Sequence, residues 1–220
     1  MLPFGGQALG IMLAHVLLTG LGSRSMTVNQ LLAEDPDVDL LAARLELASL
    51  AVMLTLALCF WLLGRRRAFR RTVLVYLSIA VLSLLMDCIS LVSTLGERTM
   101  GTGGAFQLMW DAGLTWSANV LTFAIWYWFL DQGGPDRRGR GEPERPDFAF
   151  PQQTGEFPGW ERWAPQPLDY LFVAFNTSTA FSPTDTLVLS HRAKVLNMLQ
   201  ALVSLVIVAM LAARVVNMIQ

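Results

Sequence analysis

The chain has 220 residues, of which 54 % are hydrophobic and only 15 % are charged. Soluble domains carry about 25 % charged residues, so this composition favours an integral membrane protein. The 16 basic and 17 acidic residues nearly cancel, which gives no overall charge for a nucleic-acid partner. Two cysteines and two histidines at unrelated spacings match no ligand pattern, so we expect no disulfide, metal or cofactor. No catalytic motif stands out, and we expect that the protein is not an enzyme.

Residues 1–130 form the first predicted region, which contains four transmembrane helices. An apolar helix of about 20 residues is long enough to cross a bilayer. The apolar segments lie at about 7–22, 40–64, 72–95 and 105–130. His15 lies within the first of them and either packs against a neighbouring group or senses protons. We favour packing, because the sequence offers this histidine no visible partner.

Five arginines lie between the second and third segments, within residues 65–71. Short arginine-rich loops are retained on the cytoplasmic side of a membrane, so this cluster predicts the topology. A contact with anionic lipids is a second interpretation of the same cluster.

Two carboxylates fall within the predicted helices. Asp87 lies near the middle of the third helix, and Asp111 lies six residues into the fourth. An acid at such depth costs about 2.5 to 3.5 kcal/mol to insert and usually faces the interior of a bundle. Asp87 is open to three interpretations: a proton or cation relay, a ligand contact, and a hydrogen-bonded link between helices. Since Asp111 is the shallower of the two, we expect no direct pairing between them.

Each carboxylate shares its helical face with other polar residues. These are Tyr76, Ser83, Ser90 and Thr94 on the third helix, and Thr115, Asn119 and Thr122 on the fourth. The fourth helix ends in the aromatic residues 126–128, which we expect to anchor it at the lipid headgroups.

Residues 131–167 form the second predicted region, which is rich in proline, glycine and arginine. Such a composition does not build a packed core, so we predict a flexible linker. Its arginines near the helix end favour the cytoplasmic side. With the earlier arginine loop on that side as well, the segment after the linker enters the membrane from the cytoplasm.

Residues 168–220 form the third predicted region, a pore-loop-like hairpin followed by a final transmembrane helix. About 12 apolar residues are too few to span a bilayer, so the first part reads as a re-entrant half-helix. Irregular backbone at membrane depth survives where it lines a cavity, which makes this region the candidate pore or ion pathway. The residues of this pathway are Asn176, Thr177, Ser178, Thr179, Asp185, Gln200 and Ser204. Asn197, Gln200 and Ser204 share one face of the last helix, where they either line a polar route toward Asp87 or link helices. We favour the link for Asn197 and leave both interpretations open for Gln200.

Residues 170–217 resemble the pore-loop and inner-helix unit of the tetrameric potassium-channel superfamily. The similarity lies in an aromatic helix start, a run of small hydroxyl residues, an aspartate after the filter position and a long apolar tail. The residues concerned are Tyr170, Phe172 and Phe175, then 177–180, then Asp185. Ser182, Pro183 and Thr184 stand where that family has its Gly-Tyr-Gly filter. The whole chain resembles an uncharacterised family of small bacterial inner-membrane proteins, which implies a multi-pass inner-membrane location.

The sequence therefore predicts an all-α integral membrane protein with five transmembrane helices plus a re-entrant half-helix before the last. We expect an ion-channel-like protein that conducts a monovalent cation, and a homo-oligomer in the lipid bilayer. Two alternatives are a proton- or cation-coupled small transporter that uses Asp87, and a non-conducting membrane scaffold.

Overall fold

The computed structural model describes residues 4–30, 36–93, 102–155, 157–183 and 185–219. Its longer helices are α1 (Gly5–Gln30), α2 (Pro36–Leu62), α3 (Arg66–Ser93), α4 (Thr102–Leu130), α7 (Pro167–Ala180) and α8 (His191–Ile219). The short elements are a 3-10 turn (Asp131–Gly133), α5 (Pro135–Gly139), β1 (Phe148–Ala149), α6 (Pro151–Thr154) and β2 (Leu187–Val188). The predicted all-α class is confirmed, with one two-residue strand pair added to it.

Helix α4 is the centre of the bundle. It packs against α1, α3, α7 and α8, while α2 packs against α1 and α3. The aromatic residues Phe123, Tyr127 and Trp128 of α4 are fully buried in the main hydrophobic core. Large aromatic side chains bury about 150 to 250 Å² each, so the second half of α4 contributes much of the packing energy.

Within the described ranges, three helical stretches are long and apolar enough to cross a membrane: Arg44–Leu62, Arg66–Ile89 and His191–Ala213. Helix α1 carries a shorter apolar stretch, Gly5–Leu21. Leucines such as Leu62, Leu82 and Leu202 are more than half exposed on the outer faces of these helices. Extended apolar surfaces of this kind indicate a membrane protein, in which lipid chains cover them.

Two arginine-rich segments of the sequence meet at one end of the bundle, residues 65–71 and 137–140. Arg66 at the start of α3 lies with Nη1 3.2 Å from Oδ1 of Asp136 in α5, and Asp136 also binds Arg140. The start of α3 and the end of α4 therefore lie side by side. We refer to this end of the bundle as the arginine end.

Helix α7 is a half-length helix. Its 14 residues rise about 21 Å, less than the hydrocarbon thickness of about 30 Å. It begins at a cap in which the Gln166 backbone N–H donates to Asp169 Oδ2 at 2.6 Å. It ends where Phe181 adopts a left-handed backbone (φ 54°) and where Pro183, two residues later, is unable to continue a helix.

The chain returns from α7 to the arginine end. Strand β2 pairs antiparallel with β1, with Phe148 opposite Val188 and Ala149 opposite Leu187. Since β1 precedes α7 and β2 follows it, both ends of the segment that contains α7 are held together. The segment therefore enters and leaves the bundle at the same end.

Next to the strand pair, Asp147 also holds together the two chain segments that flank α7. Its carboxylate accepts two hydrogen bonds from Arg192 at 2.7 Å each, and one from the Ser190 hydroxyl. Its backbone carbonyl accepts a further hydrogen bond from Leu189 N at 2.8 Å. Helix α8 therefore begins at the strand pair.

The structure differs from the flexible linker that we expected over residues 131–167. Phe148 and Phe150 are buried in the core, and Asp131 is fully buried at the end of α4. Asp131 accepts hydrogen bonds from the backbone N–H of Asp147 (2.8 Å) and Phe148 (3.3 Å), and from the Tyr170 hydroxyl (2.6 Å). Tertiary hydrogen bonds to one carboxylate thus order a segment whose composition indicates a linker.

We expect Asp131→Ala to destabilise the protein, because the substitution removes the acceptor of three buried donors. A buried unsatisfied donor costs about 1 to 3 kcal/mol, so the free energy of unfolding falls by at least about 3 kcal/mol. Denaturant unfolding of the detergent-solubilised protein, followed by tryptophan fluorescence, measures the change.

Glu142→Ala is the control for this measurement. The Glu142 side chain is 69 % exposed, and its Oε2 lies 3.4 Å from Nε of exposed Arg140. Loss of this exposed ion pair changes the free energy of unfolding by less than about 1 kcal/mol. An equal loss of stability in the two variants would show that Asp131 does not organise the segment.

Candidate functional site

The polar half of α7 presents two different faces. Thr177 and Ser178 are buried between α7, α4 and α8, whereas Thr179 is exposed and Asn176 is half-buried. The alternation follows from the helical period, since consecutive residues lie about 100° apart around the axis. The predicted run of pathway residues is therefore divided between an inner and an outer side.

Gln200 of α8 is the hub of the inner side and is fully buried. Its Oε1 accepts a hydrogen bond from the Tyr127 hydroxyl at 2.5 Å. Its Nε2 donates to the Ala174 carbonyl at 2.7 Å and to Ser178 Oγ at 2.8 Å. One amide therefore links α4, α7 and α8.

Two asparagines extend this network. Asn197 Nδ2 donates to Thr177 Oγ1 at 2.9 Å and to the Tyr127 hydroxyl oxygen at 3.3 Å. Asn119 Nδ2 donates to Ser204 Oγ at 2.8 Å and to Ser178 Oγ at 3.4 Å. We refer to Tyr127, Asn119, Asn197, Gln200 and the three hydroxyl residues that they bind as the polar cluster.

Two oxygen atoms on α4 have no hydrogen-bond partner among the residues that the structure describes. They are Oδ1 of Asn119 and Oγ1 of Thr122, and both residues are buried, with at most 1 % of their surface exposed. The two positions are three residues apart and so share one face of α4. Buried oxygens of this kind are able to accept a hydrogen bond from water or to coordinate a hard cation.

Of the predicted pathway residues, the structure brings Thr177, Ser178, Gln200 and Ser204 into the polar cluster. It does not bring Thr179 or Asp185 there. The Thr179 hydroxyl donates to the Phe175 carbonyl of its own helix at 3.0 Å, and Asp185 is exposed.

The carboxylates Asp87 and Asp111 belong to a different part of the bundle. Asp87 is close enough to Asp111, and to Glu46 of α2, for electrostatic interaction. We expected Asp111 to be the shallower residue, with no direct pairing to Asp87, and the residues that connect α3 to α4 lie outside the described ranges. In the described ranges, no three acids, cysteines or histidines are arranged as a metal site.

On the predicted polar face of α3, Tyr76 has structural partners, whereas two other members lie outside the described residues. Tyr76 is buried, donates to the Met12 carbonyl at 3.2 Å and lies with its hydroxyl 2.8 Å from Nδ1 of His15. His15 therefore packs against a neighbouring side chain, as the sequence favoured. The Ser90 side chain and Thr94 lie outside the described residues.

Tyr127 is the member of the polar cluster that the sequence analysis missed. Its position in the aromatic run at the end of α4 indicates a headgroup anchor, yet the residue is fully buried. The available signal is its spacing, because Tyr127 lies eight residues after Asn119 and so on the same helical face.

The start of α7 is fixed by a buried tyrosine. The Tyr170 hydroxyl donates to Asp131, and the guanidinium of Arg138 lies over the Tyr170 ring, 5.5 Å from its centroid. Burial raises the pKa of Tyr170, so the hydroxyl stays protonated and keeps donating.

Comparisons with protein-family models, with curated proteins and with solved structures find no match to this chain.

We expect Gln200→Leu to lower the free energy of unfolding by about 2 kcal/mol or more, because the Tyr127 hydroxyl and the Ala174 carbonyl lose their partner. Tyr127→Phe in the same chain removes one of the orphaned groups and recovers part of that loss. Unfolding of the single and double variants in detergent gives the coupling energy.

Gln7→Leu serves as the matched substitution, since Gln7 is exposed on α1. We expect it to leave stability nearly unchanged. Strictly additive effects of the Tyr127 and Gln200 variants would contradict the network.

Proposed function

We propose that this protein is a multi-pass inner-membrane protein with a channel-like activity toward a monovalent cation. In this proposal α1, α2, α3, α4 and α8 cross the membrane, and α7 is a re-entrant half-helix. The cytoplasmic side is the arginine end, which agrees with the retention of short arginine-rich loops on that side.

The observation that carries this proposal is the placement of α7. It is half the length of a spanning helix, and the strand pair holds both of its flanks at one end of the bundle. A bilayer tolerates such a broken element where it is enclosed by protein or lines a cavity. Half-helices that end within the bundle are a recurring way to build ion sites in membrane proteins.

In this proposal the two sides of α7 have different roles. The inner hydroxyls of Thr177 and Ser178 are engaged by Asn197 and Gln200, and hold the half-helix in place. The outer residues Thr179 and Asp185 are exposed on a single chain. They are the groups that a homo-oligomer would direct toward a shared axis, and oxygen atoms there suit a monovalent cation.

A liposome flux assay with potassium, sodium and protons tests this function. We expect Asp185→Ala to reduce cation flux about tenfold, because a carboxylate near a pathway concentrates cations. Thr179→Ala is expected to reduce flux in the same direction. Glu142→Ala, which removes an exposed acid at the arginine end, is expected to leave flux unchanged.

Thr55→Ala is the matched control for Thr179→Ala. Both threonines are exposed, and both donate to the carbonyl four residues earlier in their own helix, at 2.8 and 3.0 Å. Equal effects of the two substitutions would remove Thr179 from the pathway. Absence of flux in folded, inserted wild-type protein would contradict the channel and leave the scaffold alternative.

A coupled transporter that uses Asp87 is the second candidate. It is favoured by one observation, the approach of Asp111 and Glu46 to Asp87 within the apolar helices. A cluster of acids in a membrane is a frequent feature of proton relays. This candidate requires that Asp87→Asn abolishes pH-dependent flux and that Asp185→Ala does not.

A further inference from the structure

A cavity of about 380 Å³ opens at the arginine end, between the start of α3 and the residues that follow α4. Five arginines line it: Arg66, Arg67, Arg70, Arg137 and Arg140. The one carboxylate among its described lining residues is Asp136. The sequence shows the two arginine clusters separately, and the fold places them around a common space.

The ion pairs around the cavity neutralise only part of this charge. Arg66 and Arg140 share Asp136, at 3.2 and 2.7 Å, and Arg137 binds Glu144 at 2.6 Å.

Arg67 and Arg70 have no ion pair within the described residues. Nε of Arg70 is in addition buried, with no hydrogen-bond partner in the part of the chain that the structure describes. A buried donor on a charged group is costly to leave unsatisfied, so this side of the cavity is suited to an anion.

Helix α3 adds to the positive potential. It begins at Arg66, and its first turn contains no acidic residue. The N terminus of a helix carries about half a positive charge, so arginines placed there are repelled by it. An anion between the arginines and this terminus offsets the repulsion.

The remaining walls of the cavity are partly apolar. Phe4, Phe69 and Phe129 line it together with the glycines 133 and 134. Gly134 has a φ of 98°, and a Cβ there would lie 3.0 Å from the Phe129 carbonyl and 3.9 Å from Arg70 Nε. The turn thus keeps the backbone close to the guanidinium of Arg70.

We propose that this cavity binds a phosphate group next to an apolar moiety, held by Arg67 and Arg70. Guanidinium groups recognise phosphate through paired hydrogen bonds, and basic pockets at the cytoplasmic ends of membrane helices bind lipid headgroups. The same chemistry is offered by an anionic phospholipid and by a soluble phosphate compound. This inference does not rest on the proposed ion pathway.

Binding of phosphatidylglycerol to the delipidated full-length chain in detergent tests the proposal, with phosphatidylcholine as the zwitterionic reference. The readouts are native mass spectrometry and the shift of the thermal unfolding midpoint. We expect R67Q/R70Q to raise the dissociation constant for phosphatidylglycerol about tenfold or more, since each arginine near a headgroup contributes to affinity. R65Q/R71Q is the matched control, because these exposed arginines of the same cluster do not line the cavity.

Competition with inorganic phosphate and glycerol 3-phosphate distinguishes the two possible ligands, an anionic phospholipid and a soluble phosphate compound. Displacement of the lipid by millimolar glycerol 3-phosphate would assign the site to soluble phosphate compounds, and its failure would assign it to the lipid. Arg70→Lys, which keeps the charge but not the paired geometry, is expected to bind more weakly than wild type. Equal losses in R67Q/R70Q and R65Q/R71Q, with unfolding midpoints of the apo-proteins unchanged, would overturn the proposal in favour of non-specific attraction.

Discussion

The arrangement of the whole C-terminal half depends on the buried carboxylate of Asp147. It lies beside β1, is 1 % exposed and binds Arg192 and Ser190 at the start of α8. Breaking this ion pair costs free energy, because the buried carboxylate of Asp147 would be left without a compensating charge. Together with the strand pair, Asp147 closes the segment that contains α7 into a loop with both ends at the arginine end. The half-length of α7 then has a direct consequence, which is that its polar C-terminal half ends part-way along the bundle.

A second carboxylate, Asp131, connects this closure to the central helix. It terminates α4, accepts from the backbone at Asp147 and Phe148, and receives the hydroxyl of Tyr170. The end of α4, the strand pair and the start of α7 are therefore fixed relative to one another. The polar cluster lies beyond them toward the middle of the bundle, where Gln200 and Asn119 bind the inner hydroxyls of α7. Thr179, on the outer side of α7, bonds within its own helix and not to the polar cluster, which is why the proposed channel activity assigns it to the pathway.

Much of this architecture is visible in the sequence, and the exceptions have physical reasons. The shortness of the apolar run before α8 and its hydroxyl residues predict a half-helix, and Gln200 and Ser204 are recognisable as an inward polar face. The ordering of residues 131–167 is not predictable from composition, because it depends on single long-range bonds to Asp131 and Asp147. The aromatic residues on either side of Tyr127 indicate a headgroup anchor, so the sequence does not reveal that Tyr127 belongs to the polar cluster.

In the proposed topology, α7 enters and leaves the membrane on the same side. Single cysteines at Glu142 and at His191, both exposed, test it in a background that lacks Cys59 and Cys88. A membrane-impermeant maleimide is applied to intact cells and to inverted membrane vesicles. We expect that Glu142→Cys and His191→Cys are both labelled in inverted vesicles and both protected in intact cells. Labelling of the two cysteines from opposite sides would mean that residues 168–190 cross the membrane fully, and would contradict the re-entrant arrangement.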